Sequence, residues 1–177
     1  MIVLLLTPTG QASKNTDVNL SGFGQRRTHS LRAPVFITTL NHKIWRLAMD
    51  IPTELNYTDN DEWIKIDGNV GLIGITDYAQ DQLSDIVFVE VIVSEGEIVK
   101  KGDACATVES VKAAADVYMP VSGEIITVND ELADVPETIN SDPYGDAWMV
   151  KVELSDPAEI DRLLDSNGYE KLIEERE

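Results

Sequence analysis

The stretch whose reading decides the fold is Val108-Glu109-Ser110-Val111-Lys112-Ala113-Ala114-Ala115-Asp116-Val117-Tyr118-Met119-Pro120-Val121-Ser122-Gly123. Val117, Met119 and Val121 alternate with Tyr118 and Pro120, the two-residue period of a half-buried strand. Val108 and Val111 anchor the approach, and Pro120 with Gly123 marks a further turn. Lys112 therefore sits near the tip of a hairpin. Three alanines follow it, so nothing bulky shields its amine. A β-domain that presents one exposed lysine in this way points to a group carrier, with the lysine as an attachment point and not a base.

The bulk composition agrees. The chain has 177 residues, 43% of them hydrophobic, enough for one domain with a real core and an extension. A formal net charge of -18 argues against a nucleic-acid partner, because phosphate binding needs a basic footprint. It also disfavours an anionic membrane surface. The longest apolar run, Met1 to Leu6, is far too short for a membrane span. Charge is unevenly distributed. Residues 1–48 hold six basic residues and one acid, whereas residues 49–177 hold the other 8 bases against 31 acids. The expected organisation is a basic leader over 1–48, either a non-native extension or a transit-like segment, and one acidic domain over 49–177. The expected compartment is the bacterial cytoplasm, or the mitochondrion if the leader is a transit peptide. The lone Cys105 rules out an internal disulfide or a cysteine zinc site, so any dithiol chemistry has to arrive on an attached group.

The acidic domain reads as short strands joined by turns. Ile64 and Ile66 lead to an Asp67-Gly68 turn, and Val70 to Ile75 form a second strand. Asp77 and Gln80 have capping-box spacing, with Asp77 as N-cap of a short helix to about Leu83. Ile86 to Val93 is almost wholly apolar and β-branched, which predicts a buried central strand. Gly96 and Gly102 supply tight corners, Gly123 to Val128 is a strand, and Asn129 to Gly145 is a polar loop. Trp148 to Leu154 closes the sheet. Asp156-Pro157-Ala158-Glu159 opens a helix with a buried stripe of Ile160, Leu163 and Leu164, ended by Asn167-Gly168. Tyr169 to Glu177 follows as a second helix. The turns on either side of Lys112 recur at similar distances, as expected of two halves wrapped round a hairpin.

Several stretches together carry a resemblance. Glu109-Ser110-Val111-Lys112-Ala113, Pro120-Val121-Ser122-Gly123-Glu124 and Asn140 to Trp148 are similar to the H-protein family of the glycine cleavage system. So are Asp61-Glu62-Trp63, Gly74 to Gln80 and Asp85 to Val89, in order and at family spacing from about Ile51 to Ile173. The resemblance implies a mainly β, hammerhead-type barrel-sandwich hybrid, with a short helix after the second strand and C-terminal helices. It implies a carrier and not an enzyme, bearing (R)-lipoate on Lys112 as N6-lipoyllysine, with Glu109, Ser110, Val111 and Ala113 as the attachment motif. The arm would take an aminomethyl group from a glycine decarboxylase (P protein) and yield it to an aminomethyltransferase (T protein). A dihydrolipoyl dehydrogenase (L protein) would reoxidise it, and a lipoate ligase or lipoyltransferase would attach it. The carrier is expected to be a monomer. Glu62 and Asp116 match acids that would hold the cationic end of the loaded arm. Two positions depart from the family pattern: Asp61 replaces its usual histidine, and Gln82 stands where a histidine can occur.

Three other readings of the residues stand beside this one. A lipoate relay to 2-oxoacid dehydrogenases would use the same fold and lysine. A biotin carrier would flank its lysine with methionines, where this chain has Val111 and Ala113. A hydrolase would use Ser110 as nucleophile with Lys112 as base, which needs a neutral amine that an acidic domain opposes.

Overall fold

The computed structural model describes residues 49–176, so the basic leader and Glu177 lie outside the described residues. The first sheet begins with β1 (Asn56–Tyr57), β2 (Glu62–Asp67) and β3 (Val70–Ile75). β2 and β3 form a hairpin in full register from Glu62↔Ile75 to Asp67↔Val70, turned by Gly68 at φ 63°. α1 (Asp77–Leu83) follows. Its N-cap is Thr76, whose hydroxyl accepts from the Ala79 amide at 3.2 Å, and Asp77 is the first helical residue. The capping-box reading was thus one residue late. Asp77 and Gln80 still meet, through a 2.7 Å bond from the Gln80 amide to the Asp77 carboxylate. The helix comes after the third strand because Asn56–Tyr57 adds a short one ahead of the expected first.

The remaining strands are β4 (Ile86–Val91), β5 (Ile98–Val99), β6 (Ala104–Ser110), β7 (Ala114–Tyr118), β8 (Gly123–Val128) and β9 (Val150–Leu154). They form two antiparallel sheets, one in the order β1-β2-β3-β9-β8-β5 and one in the order β4-β6-β7. The sheets make an open sandwich, not a closed barrel. Val89, Val108 and Val117 of the small sheet and Ile73, Ile125, Val150 and Val152 of the large one belong to a single buried cluster. Burying each such side chain contributes about 1.5–3 kcal/mol. Gly123 leaves no room for a side chain, since a Cβ there would run into the Glu153 carbonyl oxygen of the neighbouring strand.

β4 departs from expectation. It is an edge strand, not a central one, and Val87 and Phe88 are 53% and 43% exposed. A register irregularity between Ile86 and Phe88 turns two consecutive apolar side chains outward. The segment expected to be a plain loop after β8 contains two single-turn helices, α2 (Glu131–Asp134) and α3 (Thr138–Ser141). After β9 comes a 3-10 helix (Pro157–Arg162), capped as expected by Asp156, whose carboxylate accepts from Ala158 N at 3.1 Å. Ile160, Leu163 and Leu164 are half-buried.

The final helix, α4 (Ser166–Arg176), begins three residues before Tyr169, so Asn167 and Gly168 lie in its first turn and end nothing. Asp165 accepts the Gly168 amide at 2.7 Å, a capping contact that sequence spacing alone did not favour over a stop. α4 packs Tyr169 and Ile173 into a second cluster with Leu55, Tyr57, Trp63 and Tyr78. The Tyr57 and Tyr169 rings stack 4.7 Å apart.

Candidate functional site

The β6–β7 hairpin puts Lys112 at its tip. The last ladder pair is Glu109↔Ala114, and Ser110 closes the turn beyond it. The Ser110 amide donates to the Ala113 carbonyl at 2.8 Å, and its hydroxyl donates to the same carbonyl at 3.1 Å. That hydroxyl oxygen accepts the amides of Lys112 at 3.1 Å and Ala113 at 3.0 Å. The Val111 amide donates to the Asp85 carbonyl at 3.1 Å, which ties the tip to the start of β4. The four backbone amides from Ser110 to Ala113 are therefore all hydrogen-bonded. The lysine side chain is exposed and makes no hydrogen bond or ion pair among the described residues. A rigid base with a free amine suits acylation. It does not suit the hydrolase reading, because the Ser110 hydroxyl is used to shape the turn and its hydrogen goes to a carbonyl.

Of the other attachment-motif residues, Glu109 is exposed on β6 and Val111 is 65% exposed at the tip. Ala113 is exposed and small, so the approach to the amine stays open.

Glu62 and Asp116 come together. Both line a cleft of about 180 Å³ that opens at the β7 edge, Glu62 inside it and Asp116 at its exposed rim, with Asp61, Gln82 and Val108. Their settings differ. Asp116 is exposed on β7, where it accepts from the Thr107 hydroxyl at 3.2 Å. Glu62 is only 2% exposed. One of its oxygens accepts the Tyr118 amide at 3.0 Å and the other accepts the Thr58 hydroxyl. Burial pushes its pKa up, and the two hydrogen bonds only partly oppose this. Glu62 thus clasps β2 of one sheet to the end of β7 in the other, which sequence reasoning missed. Nothing in the sequence pairs residues 62 and 118, and only the tertiary fold brings them into contact.

The two departures from the family pattern also find places. Gln82 is exposed on the cleft rim. Asp61 has φ 73° and accepts from Tyr169 OH at 2.8 Å and from Arg176 at 2.7 Å. Its carboxylate is turned to holding α4, with Arg176 also donating to the Asp59 carbonyl.

Residues 55–176 match the family model described as Glycine cleavage H-protein. The chain belongs to this H-protein family. It is 53% identical over 125 residues to the glycine cleavage system H protein of Carboxydothermus hydrogenoformans, covering 71% of this chain and 95% of that protein. Its fold matches a crystal structure of the glycine cleavage system H protein from Mycobacterium marinum, with a TM-score of 0.64 and 36% identity. That match covers 70% of this chain and 99% of the other.

H-proteins are carrier subunits of the glycine cleavage system, not catalysts, and they bear a lipoyl group. The matched region takes in the whole hairpin and the cleft. The chain's own thiol fits a carrier that borrows its dithiol. Cys105 is buried, and its pKa is pushed up to about 12, chiefly by burial and then by the nearby Glu62 carboxylate. A thiol held in its protonated form is a poor nucleophile.

Proposed function

We propose that Lys112 carries (R)-lipoate as N6-lipoyllysine and that the chain shuttles the aminomethyl group of glycine cleavage. The observation that carries this reading is the hairpin tip, where the Ser110 hydroxyl fixes the backbone while the Lys112 amine stays exposed and unpaired among the described residues. The attached dithiolane supplies the sulfur chemistry that Cys105 is too buried to supply. The partners in this reading are glycine decarboxylase, aminomethyltransferase and dihydrolipoyl dehydrogenase, with a lipoate ligase or lipoyltransferase charging the lysine. Acylation removes the lysine charge, so the tip changes from cationic to neutral as it is loaded.

The cleft at the β7 edge supports a resting place for the loaded arm. Asp116 offers an exposed carboxylate to a cationic end group. Glu62 offers a buried one whose second lone pairs remain available beside the Tyr118 and Thr58 bonds. Withdrawing the loaded end from water would protect it from hydrolysis.

The test is the intact mass of the protein from lipoate-replete cells, together with glycine–bicarbonate exchange. One lipoyl amide per chain is expected, absent in Lys112→Arg, with exchange lost in that variant. An unmodified protein, or a fully active Lys112→Arg, would sink the reading. A deletion strain with normal glycine use and unlipoylated 2-oxoacid dehydrogenases would point to the relay instead.

A further inference from the structure

The outward face of the small sheet can be read row by row from its register. Residues directly opposite across an antiparallel ladder share a face. Glu109 pairs with Phe88 on one side and Ala114 on the other, giving the row nearest the tip. Thr107 pairs with Glu90 and Asp116, giving the next row, about 7 Å further along. Val108, Val89 and Val117 point the other way, into the core. The outward face is therefore an apolar margin formed by Val87 and Phe88, continuous with exposed Val111, beside the carboxylates Glu90, Glu109 and Asp116. Lys112 stands at its end.

Two features of this face work against stability. Exposed apolar residues on an edge strand invite unwanted pairing. Like charges gathered on one sheet face repel, and no base among the described residues forms an ion pair with these acids. A chain that only needed to fold would place polar residues at 87 and 88 and mixed charges beside them.

We infer that this face is the docking surface for the enzyme that loads the arm, and that the partner presents a basic rim round an apolar recess. The inference rests on the reading of Lys112 as the arm's root. Two observations support this occupant. The face is continuous with the hairpin tip, so a partner that draws the arm into its active site must cover it. Its charge is of one sign, which complements basic groups and steers encounter. Phe88 and Val87 fill the recess, while Glu90 and its neighbours set the approach.

The experiment uses the full-length lipoylated chain with the glycine decarboxylase of the same system, and varies carrier concentration in glycine–bicarbonate exchange. Phe88→Ser and Glu90→Lys are compared with Glu124→Lys, an exposed acid on the other sheet that changes net charge equally. Both β4 variants should raise the KM for the carrier about tenfold or more, with kcat at saturation unchanged and Glu124→Lys near wild type. Raised salt should erase the difference for Glu90→Lys and leave that for Phe88→Ser. An unchanged KM in fully lipoylated Glu90→Lys overturns the docking face. So does an equal rise in Glu124→Lys, which would make net charge the cause. A missing lipoyl mass is seen before any rate is measured, and it sinks the Lys112 reading instead. If Phe88→Ser does not fold, Val87→Ser takes its place.

Discussion

At the scale of single residues, Glu62 has two duties that its position in the sequence does not separate. It lines the cleft with Asp116, and it bonds the Tyr118 amide across the sandwich. Burial raises its pKa from the ordinary 4.5, so ionising it costs more in the folded chain than in the unfolded one. The sign follows. The group's contribution is fully present below the unfolded value and is lost as pH rises through the folded value. Glu62→Gln cannot ionise and lacks that slope. The stability of the variant relative to wild type, from urea unfolding at a series of pH values, should therefore increase as pH rises from about 4 and then level off. A flat difference across that range would mean that Glu62 is not desolvated. The exposed place of Lys112 at the hairpin tip, by contrast, was legible from sequence because it depends on local surroundings, a turn and small neighbours, that the chain itself spells out.

Among the elements, α4 is held by a chain of polar contacts. The Thr76 hydroxyl and Tyr169 OH lie 2.8 Å apart, and Tyr169 OH donates onward to Asp61. Arg176 bonds the same Asp61 oxygen at 2.7 Å. Tyr169→Phe keeps the ring stack on Tyr57 but removes the hydroxyl from between two partners, leaving buried Thr76 short of one. Its expected cost is about 1–3 kcal/mol, read as a shift in the urea midpoint with little change in slope. Loss of the Asp61–Arg176 pair alone should cost less, about 1 kcal/mol or under, because both side chains are partly exposed. β4 teaches the complementary lesson. Its run of Ile, Val and Phe reads as a buried strand, because composition reports how apolar a segment is and not what covers it. In the fold it has a neighbour on one side only, and the irregularity at Ile86–Phe88 turns part of that apolar surface to solvent.

For the molecule as a whole, charge dominates. Residues 49–177 carry 31 acids and 8 bases, and compaction brings these acids closer together. Self-repulsion of that size opposes the folded state and is screened by salt. The thermal midpoint should rise as sodium chloride is increased from about 10 mM to about 150 mM, where the Debye length falls to about 8 Å. A midpoint that stays flat or falls would show that the acids are spaced too widely to repel. The same field favours fast, salt-sensitive encounters with basic partners.

The sequence by itself determined the periodic strands, the glycine corners, the hairpin with its lysine, the lack of a dithiol and the family likeness. Each of these is written in neighbouring residues or in spacing along the chain. Only the tertiary structure decided that Glu62 reaches the Tyr118 amide, that Asp61 is turned to Tyr169 and Arg176, and that β4 lies at an edge with Phe88 outward. The physical reason is that these contacts join segments about 56 to 115 residues apart, where no local pattern of polarity or period records which partner is met.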